Sequence, residues 1–183
     1  MSNRAAQGLT LVELLVFIVI IGIAATAILG IFGGLTRNSG LLLPSKQAQA
    51  IADGMMNEVM AQPFTFCDPY DAQAQTATAP VIGPTGCATL VEVMGPEPGE
   101  TRGGPILYFN NVNDYNAYAT TGAALAGLPG LAGYAVQVAI SPAAAAISGV
   151  PAADILVIRV TVTPPTGPLV QLEGVRMQYA PDT

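Results

Sequence analysis

Apolar residues fall into one long block near the start of the chain and into shorter periodic runs after it. No residue from 14 to 36 is charged, and these 23 residues are enough to cross a hydrocarbon core of about 30 Å at about 1.5 Å per residue. A single acid, Glu13, stands at the mouth of this block. The pattern predicts a membrane-spanning helix, and a carboxylate at such a place is by default a candidate functional residue.

Glycines and a proline follow the apolar block. Gly30, Gly33, Gly34 and Gly40 lower helix propensity, and Pro44 has no backbone N–H to donate. We therefore expect the first helix to bend or to lose its helical structure before residue 45.

A second helical pattern begins at Ser45, a residue suited to a helix N-cap, and ends near Ala61, shortly before Pro63. Seven apolar residues recur there at steps of three and four: Ala48, Ile51, Ala52, Met55, Met56, Val59 and Met60. This stripe is expected to pack on a sheet, with its methionines filling gaps in the core. Contact with neighbouring subunits is the alternative interpretation for the same methionines.

Alternating apolar and polar residues predict antiparallel strands in the last third of the chain. The runs 134–140 and 154–163 each present one apolar face. A third run, 169–179, changes its apolar phase across Gly174, and a β-bulge there would account for the change. The predicted fold class is therefore α+β: a long N-terminal transmembrane helix with a break, whose second half packs on a small antiparallel sheet.

The segment 64–104 is rich in turn signals and is expected to be a long loop, with short strands near 88–94 and 106–109. It holds the only two cysteines of the chain, Cys67 and Cys87. Outside the cytoplasm they are expected to form a disulfide, which for a loop of about 20 residues is worth roughly 3 kcal/mol. A metal pair is the alternative, although two thiols without histidine are too few soft ligands for a structural zinc site.

Composition argues against several classes of function. The chain has 6 basic and 12 acidic residues, for a net charge of −6, so a basic face that binds nucleic acid is not expected. It has no histidine, which removes the commonest general base and the commonest metal ligand. No nucleophile motif or phosphate-binding glycine loop stands out. We therefore expect a protein that is not an enzyme and that needs no cofactor.

Acid and amide side chains that bear oxygen are concentrated around residues 68 and 110. They are Asp68, Asp71, Asn110, Asn113 and Asp114. Oxygen ligands of this kind suit calcium. No contiguous calcium-loop pattern is present, so turn formation by Asn and Asp is the favoured interpretation and a calcium site is the alternative.

The start of the chain combines a short leader carrying Arg4, then Gly8, the apolar block, and Glu13 as the fifth residue after Gly8. This arrangement resembles the signature of type IV prepilins, which is shared by type IV pilins, minor pilins and the pseudopilins of type II secretion. The resemblance implies cleavage between Gly8 and Leu9 by a prepilin peptidase, N-methylation of Leu9, and pairing of Glu13 with the terminal amine of a neighbouring subunit. The family usually has phenylalanine after the cut, and Leu9 keeps a large apolar residue there. An ordinary signal anchor would explain the length of the block but neither Gly8 nor Glu13.

The resemblance also implies an organisation and a location. Residues 1–8 are the leader, residues 9–36 the transmembrane and assembly helix, and residues 37–183 a pilin-like head. We expect one pass through the bacterial inner membrane with a cytoplasmic amino terminus and a periplasmic head, followed by assembly into a cell-surface pilus or a periplasmic pseudopilus. The implied partners are other pilin subunits in a helical filament, prepilin peptidase, the inner-membrane assembly machinery and the lipid bilayer.

Four short segments look like those of a minor pilin of mannose-sensitive haemagglutinin type pili. They are the Cys-Asp-Pro of residues 67–69, GPEPGETR, NNVNDY and RMQYAP. The expected function is that of a minor pilin-like structural subunit of a bacterial type IV pilus. A pseudopilin of a type II secretion system and a single-pass, membrane-anchored periplasmic binding module are the alternatives.

Overall fold

A computed structural model describes residues 10–178, without the side chains of residues 32–41 and 126. The chain divides into two units, and the boundary between them lies between Leu43 and Pro44.

The first helix, α1, runs over Leu11–Ala61. Its stretch Leu11–Ile31 has a mean hydropathy of 3.0 and is not buried within the chain. Thr26 is polar, but its hydroxyl donates to the carbonyls of Gly22 and Ile23, at 3.1 and 2.8 Å, so the helix itself satisfies this group. By length and composition, this stretch is a candidate membrane span, as the sequence predicts.

The backbone stays helical from Gly30 through Pro44, so the predicted loss of helical structure does not occur there. Each glycine costs about 1 kcal/mol of helix stability, and an interior proline costs about 3 kcal/mol because it removes a ladder hydrogen bond and crowds the preceding turn. Continuous helix on both sides outweighs these local costs. The unit boundary still coincides with Pro44.

Four antiparallel strands form one sheet in which every strand pairs with the next along the chain. They are β1 (Ala119–Thr121), β2 (Ala135–Pro142), β3 (Ile155–Thr163) and β4 (Val170–Met177). A short helix, α2 (Gly122–Ala126), follows β1, and 3₁₀ turns cover Val112–Tyr115, Pro129–Leu131 and Ala152–Asp154. The α+β, pilin-like arrangement predicted from the sequence is confirmed.

Strands β2, β3 and β4 match the predicted runs to within a few residues, whereas β1 is too short to show alternation in the sequence. The segments 88–94 and 106–109 are not strands. Each contributes one isolated bridge, Val91 to Cys67 and Tyr108 to Thr101. Turn residues on both sides of these segments leave too few consecutive residues to extend the pairing.

The core of the second unit lies between the carboxyl-terminal part of α1 and one face of the sheet. The helix contributes Ala48, Ala52, Met55 and Val59, and the sheet contributes Val136, Val138, Ile158, Val160 and Val162, all at most 2% exposed. The helical stripe predicted from the sequence therefore packs on the sheet as expected, and Met55 is a core residue.

Gly174 of β4 faces two methionines of this helix, Met56 and Met60. Strand β4 pairs with β3 along its whole length without an inserted residue, so the predicted bulge at Gly174 is wrong. A Cβ at this position would stand 2.9 Å from the Sδ of Met56, which explains the glycine. Val175 and Met177 lie on the outer face, 44% and 40% exposed. The change of apolar phase therefore reflects apolar residues on the outer face of β4.

A hydrogen-bonded ion pair ties α1 to the long loop. The Nε and Nη2 of Arg102 donate to the two carboxylate oxygens of Glu58 at 2.6 and 2.7 Å, and the hydroxyl of Tyr115 donates to Glu58 at 2.9 Å. Burial alone would raise the pKa of Glu58, but the hydrogen bonds from Arg102 and Tyr115 outweigh it and lower that pKa. The bidentate pair thus fixes the loop against the helix.

The substitution Gly174→Val tests the close contact between α1 and β4. Its larger side chain collides with Met56, so we expect a loss of about 1–3 kcal/mol of unfolding free energy. Combining it with Met56→Ala makes room, and the double variant is expected to lose at least about 0.5 kcal/mol less than the sum of the two single losses. Urea unfolding of the full chain in detergent measures all three values. Strict additivity would show that the two residues do not touch.

The ion pair is tested by Glu58→Gln, with Glu173→Gln as the matched control. Glu58 and Arg102 are only 31% and 23% exposed, so the substitution is expected to cost about 1–3 kcal/mol of unfolding free energy. The Arg159–Glu173 pair is about half exposed and is expected to contribute less than about 1 kcal/mol. Equal losses in the two variants, measured by urea unfolding, would contradict this ranking.

Candidate functional site

Glu13 lies in the first turn of α1. The hydroxyl oxygen of Thr10, the residue before the helix, accepts a hydrogen bond from the backbone N–H of Glu13 at 3.3 Å. A threonine followed three residues later by glutamate has the spacing of a capping box, and a carboxylate in the first turn interacts favourably with the helix dipole. Glu13 therefore helps to start the helix whatever else it does.

The surroundings of Glu13 are apolar and open. Its side chain is exposed, and the neighbouring Leu14 and Phe17 are 52% and 61% exposed. A lone carboxylate that faces lipid costs about 2–3 kcal/mol. A cationic partner for Glu13 inside a membrane would therefore have to come from outside this stretch of helix. Gly8 and Leu9 lie outside the described residues, so the cleavage site stays a prediction.

The second unit holds the two cysteines. Cys67 and Cys87 form a disulfide with a Cα–Cα distance of 5.4 Å, and both are fully buried in a small cluster with Ala77. The predicted pairing is confirmed. Because the bridge closes a loop with few strands, it contributes order that the local sequence does not supply.

Asp71 organises the loop that the disulfide closes. Its carboxylate accepts hydrogen bonds from the backbone N–H groups of Gln73, Ala88, Thr89 and Leu90, at 2.7–3.1 Å, and from the Thr89 hydroxyl at 2.9 Å. These hydrogen bonds hold the pKa of Asp71 well below its usual range, and the bond from Ala88 has the largest effect. The carboxylate is thus saturated with donors. Asp71 has the turn-forming role favoured by the sequence.

Five other carboxylates converge from separate parts of the loop region. Oxygens of Asp68, Glu92 and Glu97 lie within 4.8 Å of one another, and so do oxygens of Glu97, Glu100 and Asp114. We call these five residues the acidic cluster. Asp68 and Asp114 are among the oxygen-bearing residues predicted from the sequence, whereas the three glutamates were missed. Their spacing in the chain carries no signal, because loops and the disulfide bring them together.

The acidic cluster is largely buried, and several of its carboxylate oxygens have no hydrogen-bond donor among the described residues. Asp114 is fully buried and Glu92 is 8% exposed. In the part of the chain that the structure describes, neither carboxylate oxygen of Glu92 or Glu97 has a hydrogen-bond partner, and nor does Oδ1 of Asp114. The other oxygen of Asp114 accepts from the backbone of Asn110 and Asn111, at 2.8 and 2.7 Å.

This environment favours the protonated acids when no cation is near. Burial, and then the negative charges of Asp114, Glu97, Asp68 and Glu100, raise the pKa of Glu92 to about 9. Burial, and then the adjacent carboxyl group of Glu100, raise the pKa of Glu97 to about 8. Among the described residues, the ion pairs join Arg102 to Glu58 and Arg159 to Glu173, outside the cluster.

Two buried amides, Asn110 and Asn113, lie beside residues of the acidic cluster. Asn110 and Asn113 are each 7% exposed, and the Oδ1 atom of each is buried with no donor in the described range. The Nδ2 of Asn110 donates to Glu100 at 3.2 Å, which places this amide at the cluster. Of the five predicted oxygen-bearing residues, Asp68, Asn110, Asn113 and Asp114 therefore lie in one region, and Asp71 is engaged elsewhere.

Comparison with known protein families gives one clear result, at the amino terminus. A model of the prokaryotic N-terminal methylation motif matches residues 3–29, the range that contains Gly8, Leu9 and Glu13. Comparison with curated proteins gave no match, and neither did comparison with solved structures. An N-terminal apolar helix together with this motif fits a membrane-anchored precursor. The match supports a resemblance to the type IV prepilin-like family and does not distinguish a pilin from a pseudopilin.

This family is generally structural rather than enzymatic, and its motif implies processing by a prepilin peptidase and assembly with pilin subunits. The matched range ends before residue 67, where the narrower resemblance to mannose-sensitive haemagglutinin type pili begins. That narrower assignment stays a prediction.

The role of Asp71 is tested by Asp71→Asn, which replaces one acceptor oxygen by a donor facing backbone N–H groups. We expect the thermal unfolding midpoint of the full chain in detergent to fall by several degrees at neutral pH. Because hydrogen bonding depresses the folded-state pKa, the stabilisation by Asp71 is present above the usual aspartate value of about 4 and is lost as the pH falls below it. The difference between Asp71→Asn and the unsubstituted chain should therefore shrink in acid.

The matched control is Asp53→Asn, at an exposed position of α1. It is expected to leave the midpoint nearly unchanged at every pH. A difference between Asp71→Asn and the unsubstituted chain that stays constant from neutral pH into acid would contradict the role assigned to the ionised carboxylate.

Proposed function

We propose that this chain is a minor pilin-like structural subunit of a bacterial type IV pilus. In this proposal a prepilin peptidase removes residues 1–8, Leu9 becomes the methylated amino terminus, and the subunit assembles through its N-terminal helix. A pseudopilin of type II secretion shares this amino-terminal logic and differs in the system that uses the filament.

The observation that carries the proposal is an apolar helix with no cover of its own. The stretch Leu11–Ile31 has a mean hydropathy of 3.0, and its own chain buries none of it. Such a surface needs lipid or other apolar helices around it. A subunit of this kind meets this need both before and after assembly. Lipid surrounds its helix in the membrane, and copies of the same helix surround it in the filament.

Glu13 explains why the packing would be specific. Apolar helices that pack side by side can slide along one another, because the hydrophobic effect is not directional. A buried carboxylate that pairs with the new amine of a neighbouring subunit favours one axial position, much as a single polar residue fixes the register of a coiled coil. The exposed position of Glu13 in the first turn of α1 leaves it accessible to such a partner.

The head supplies the part of the subunit that is displayed. The second unit has its own core between α1 and the sheet, and a loop region fixed by the disulfide. A disulfide is appropriate to a head that folds outside the cytoplasm. These features support a secreted structural subunit.

The pairing of Glu13 is tested with Glu13→Ala in bacteria that make the filament. We expect membrane insertion and leader removal to continue, because neither requires a neighbouring subunit. Incorporation into purified filaments should fall at least about ten-fold, since a buried charge left without its partner costs about 3–5 kcal/mol. Immunoblots of membranes and of sheared filaments measure the two quantities separately.

The matched control for this experiment is Val12→Ala, which shortens the adjacent side chain without removing a charge. It is expected to enter filaments at close to the unsubstituted level. Glu13→Ala in filaments at that same level would refute the pairing mechanism, while loss of the protein from the membrane would refute the separation of insertion from assembly.

A further inference from the structure

We propose that the acidic cluster is a calcium-binding site, centred on Glu97, in the head of the subunit. The proposal concerns the second unit alone and is independent of how the amino-terminal helix is processed or assembled. It rests on the position of the carboxylates, on buried oxygens without donors and on the chemistry of the available ligands.

The distances within each of the two sets of carboxylates suit a bound calcium ion. Calcium binds oxygens at about 2.3–2.6 Å, so two oxygens on opposite sides of the ion are about 5 Å apart. The oxygens of Asp68, Glu92 and Glu97 lie within 4.8 Å of one another, as do those of Glu97, Glu100 and Asp114. Glu97 belongs to both sets and is therefore expected to be a ligand whichever set holds the ion.

Buried amide oxygens give a second, independent indication. Asn110 and Asn113 are not acids, yet each has a buried Oδ1 with no donor among the described residues. Asn110 is held at the cluster by its hydrogen bond to Glu100. A buried oxygen without a donor is costly, and a cation would satisfy it. Amide oxygens are also common calcium ligands.

Some carboxylate oxygens of the cluster also lack a hydrogen-bond donor among the described residues. Both oxygens of Glu92 and one oxygen of Asp114 are buried without a donor among the described residues, and the cationic groups of Arg102 and Arg159 pair with acids elsewhere. Repulsion among buried carboxylates destabilises a fold unless protons or a cation neutralise them. A divalent ion would do so without protonating any of them.

The ligand chemistry selects calcium over other ions. The ligands are all oxygens, because the chain has no histidine and both cysteines are in the disulfide. Zinc and copper prefer nitrogen or sulfur, and magnesium requires a near-ideal octahedron that usually keeps several waters. Ligands drawn from several loops fit the larger and less regular shell of calcium.

An approach for the ion is present beside the cluster. Glu92 and Asn113 help to line an open cleft of about 480 Å³, together with Phe66 and Met94. A bound ion would join the loop that carries Asp68 to the 3₁₀ turn that carries Asp114, and would act there alongside the disulfide. Calcium would in this way order the head once it has left the cytoplasm.

The test is calcium titration of the full chain, purified in detergent with its disulfide formed and its metals removed by chelation. Isothermal titration calorimetry with calcium chloride at neutral pH should show saturable binding, and calcium should raise the thermal unfolding midpoint by several degrees. Glu97→Gln and Glu92→Gln should each weaken binding at least about ten-fold. The matched control Glu173→Gln, in the half-exposed pair on the sheet, should bind calcium as the unsubstituted chain does.

Misfolding of a variant is separated from loss of a ligand by the calcium-free midpoint. Glu92→Gln replaces a buried acid whose ionisation the neighbouring acids oppose, so without calcium it should be at least as stable as the unsubstituted chain, and with calcium less stable. No binding by the unsubstituted chain at millimolar calcium would overturn the proposal. Unchanged binding in both cluster variants, or an equal loss in Glu173→Gln, would overturn it as well.

Discussion

A carboxylate that is buried on folding needs hydrogen-bond donors or a positive charge beside it, and this requirement organises the head of the protein. Asp71 meets it with four backbone N–H groups and a hydroxyl, and Glu58 meets it with Arg102 and Tyr115. In both cases the carboxylate holds together segments that are far apart in the chain. The loop region has few strands of its own, so these polar contacts and the disulfide take the place of sheet pairing there.

At the two sites for which we propose partners, the described residues do not meet this requirement. Glu13 stands in an apolar helix, and the buried oxygens around Glu97 lack donors among the described residues. We propose a neighbouring subunit's amine for the first and calcium for the second. Both proposed partners come from outside the chain.

The regular elements could be predicted from the sequence because their packing is periodic. Met55 and Val59 lie on one helical face, and Ile158 and Val160 mark the buried face of β3. Gly174 misled the prediction for a physical reason. The space there is filled by Met56 from another element, which the pattern of β4 alone does not show. Local propensity also understated how far helix continues through Pro44.

The candidate sites likewise divide into residues that the sequence could identify and residues that only the fold brings together. Gly8, Leu9 and Glu13 form a local signature, so the sequence identifies them together, and the motif match covers that range. Asp68 and Asp114 could be suggested from residue type alone. Glu92, Glu97 and Glu100 could not, because only the folded loop brings their oxygens within 4.8 Å of those partners.

The central claim, that this chain is a processed prepilin-like subunit, is tested most directly by intact-mass analysis of the protein from its native membrane. The account predicts a polypeptide that lacks residues 1–8, begins at Leu9 and carries one added methyl group on its terminal amine, with Cys67 and Cys87 oxidised. A native protein that still begins at Met1 and carries no methyl group would contradict it.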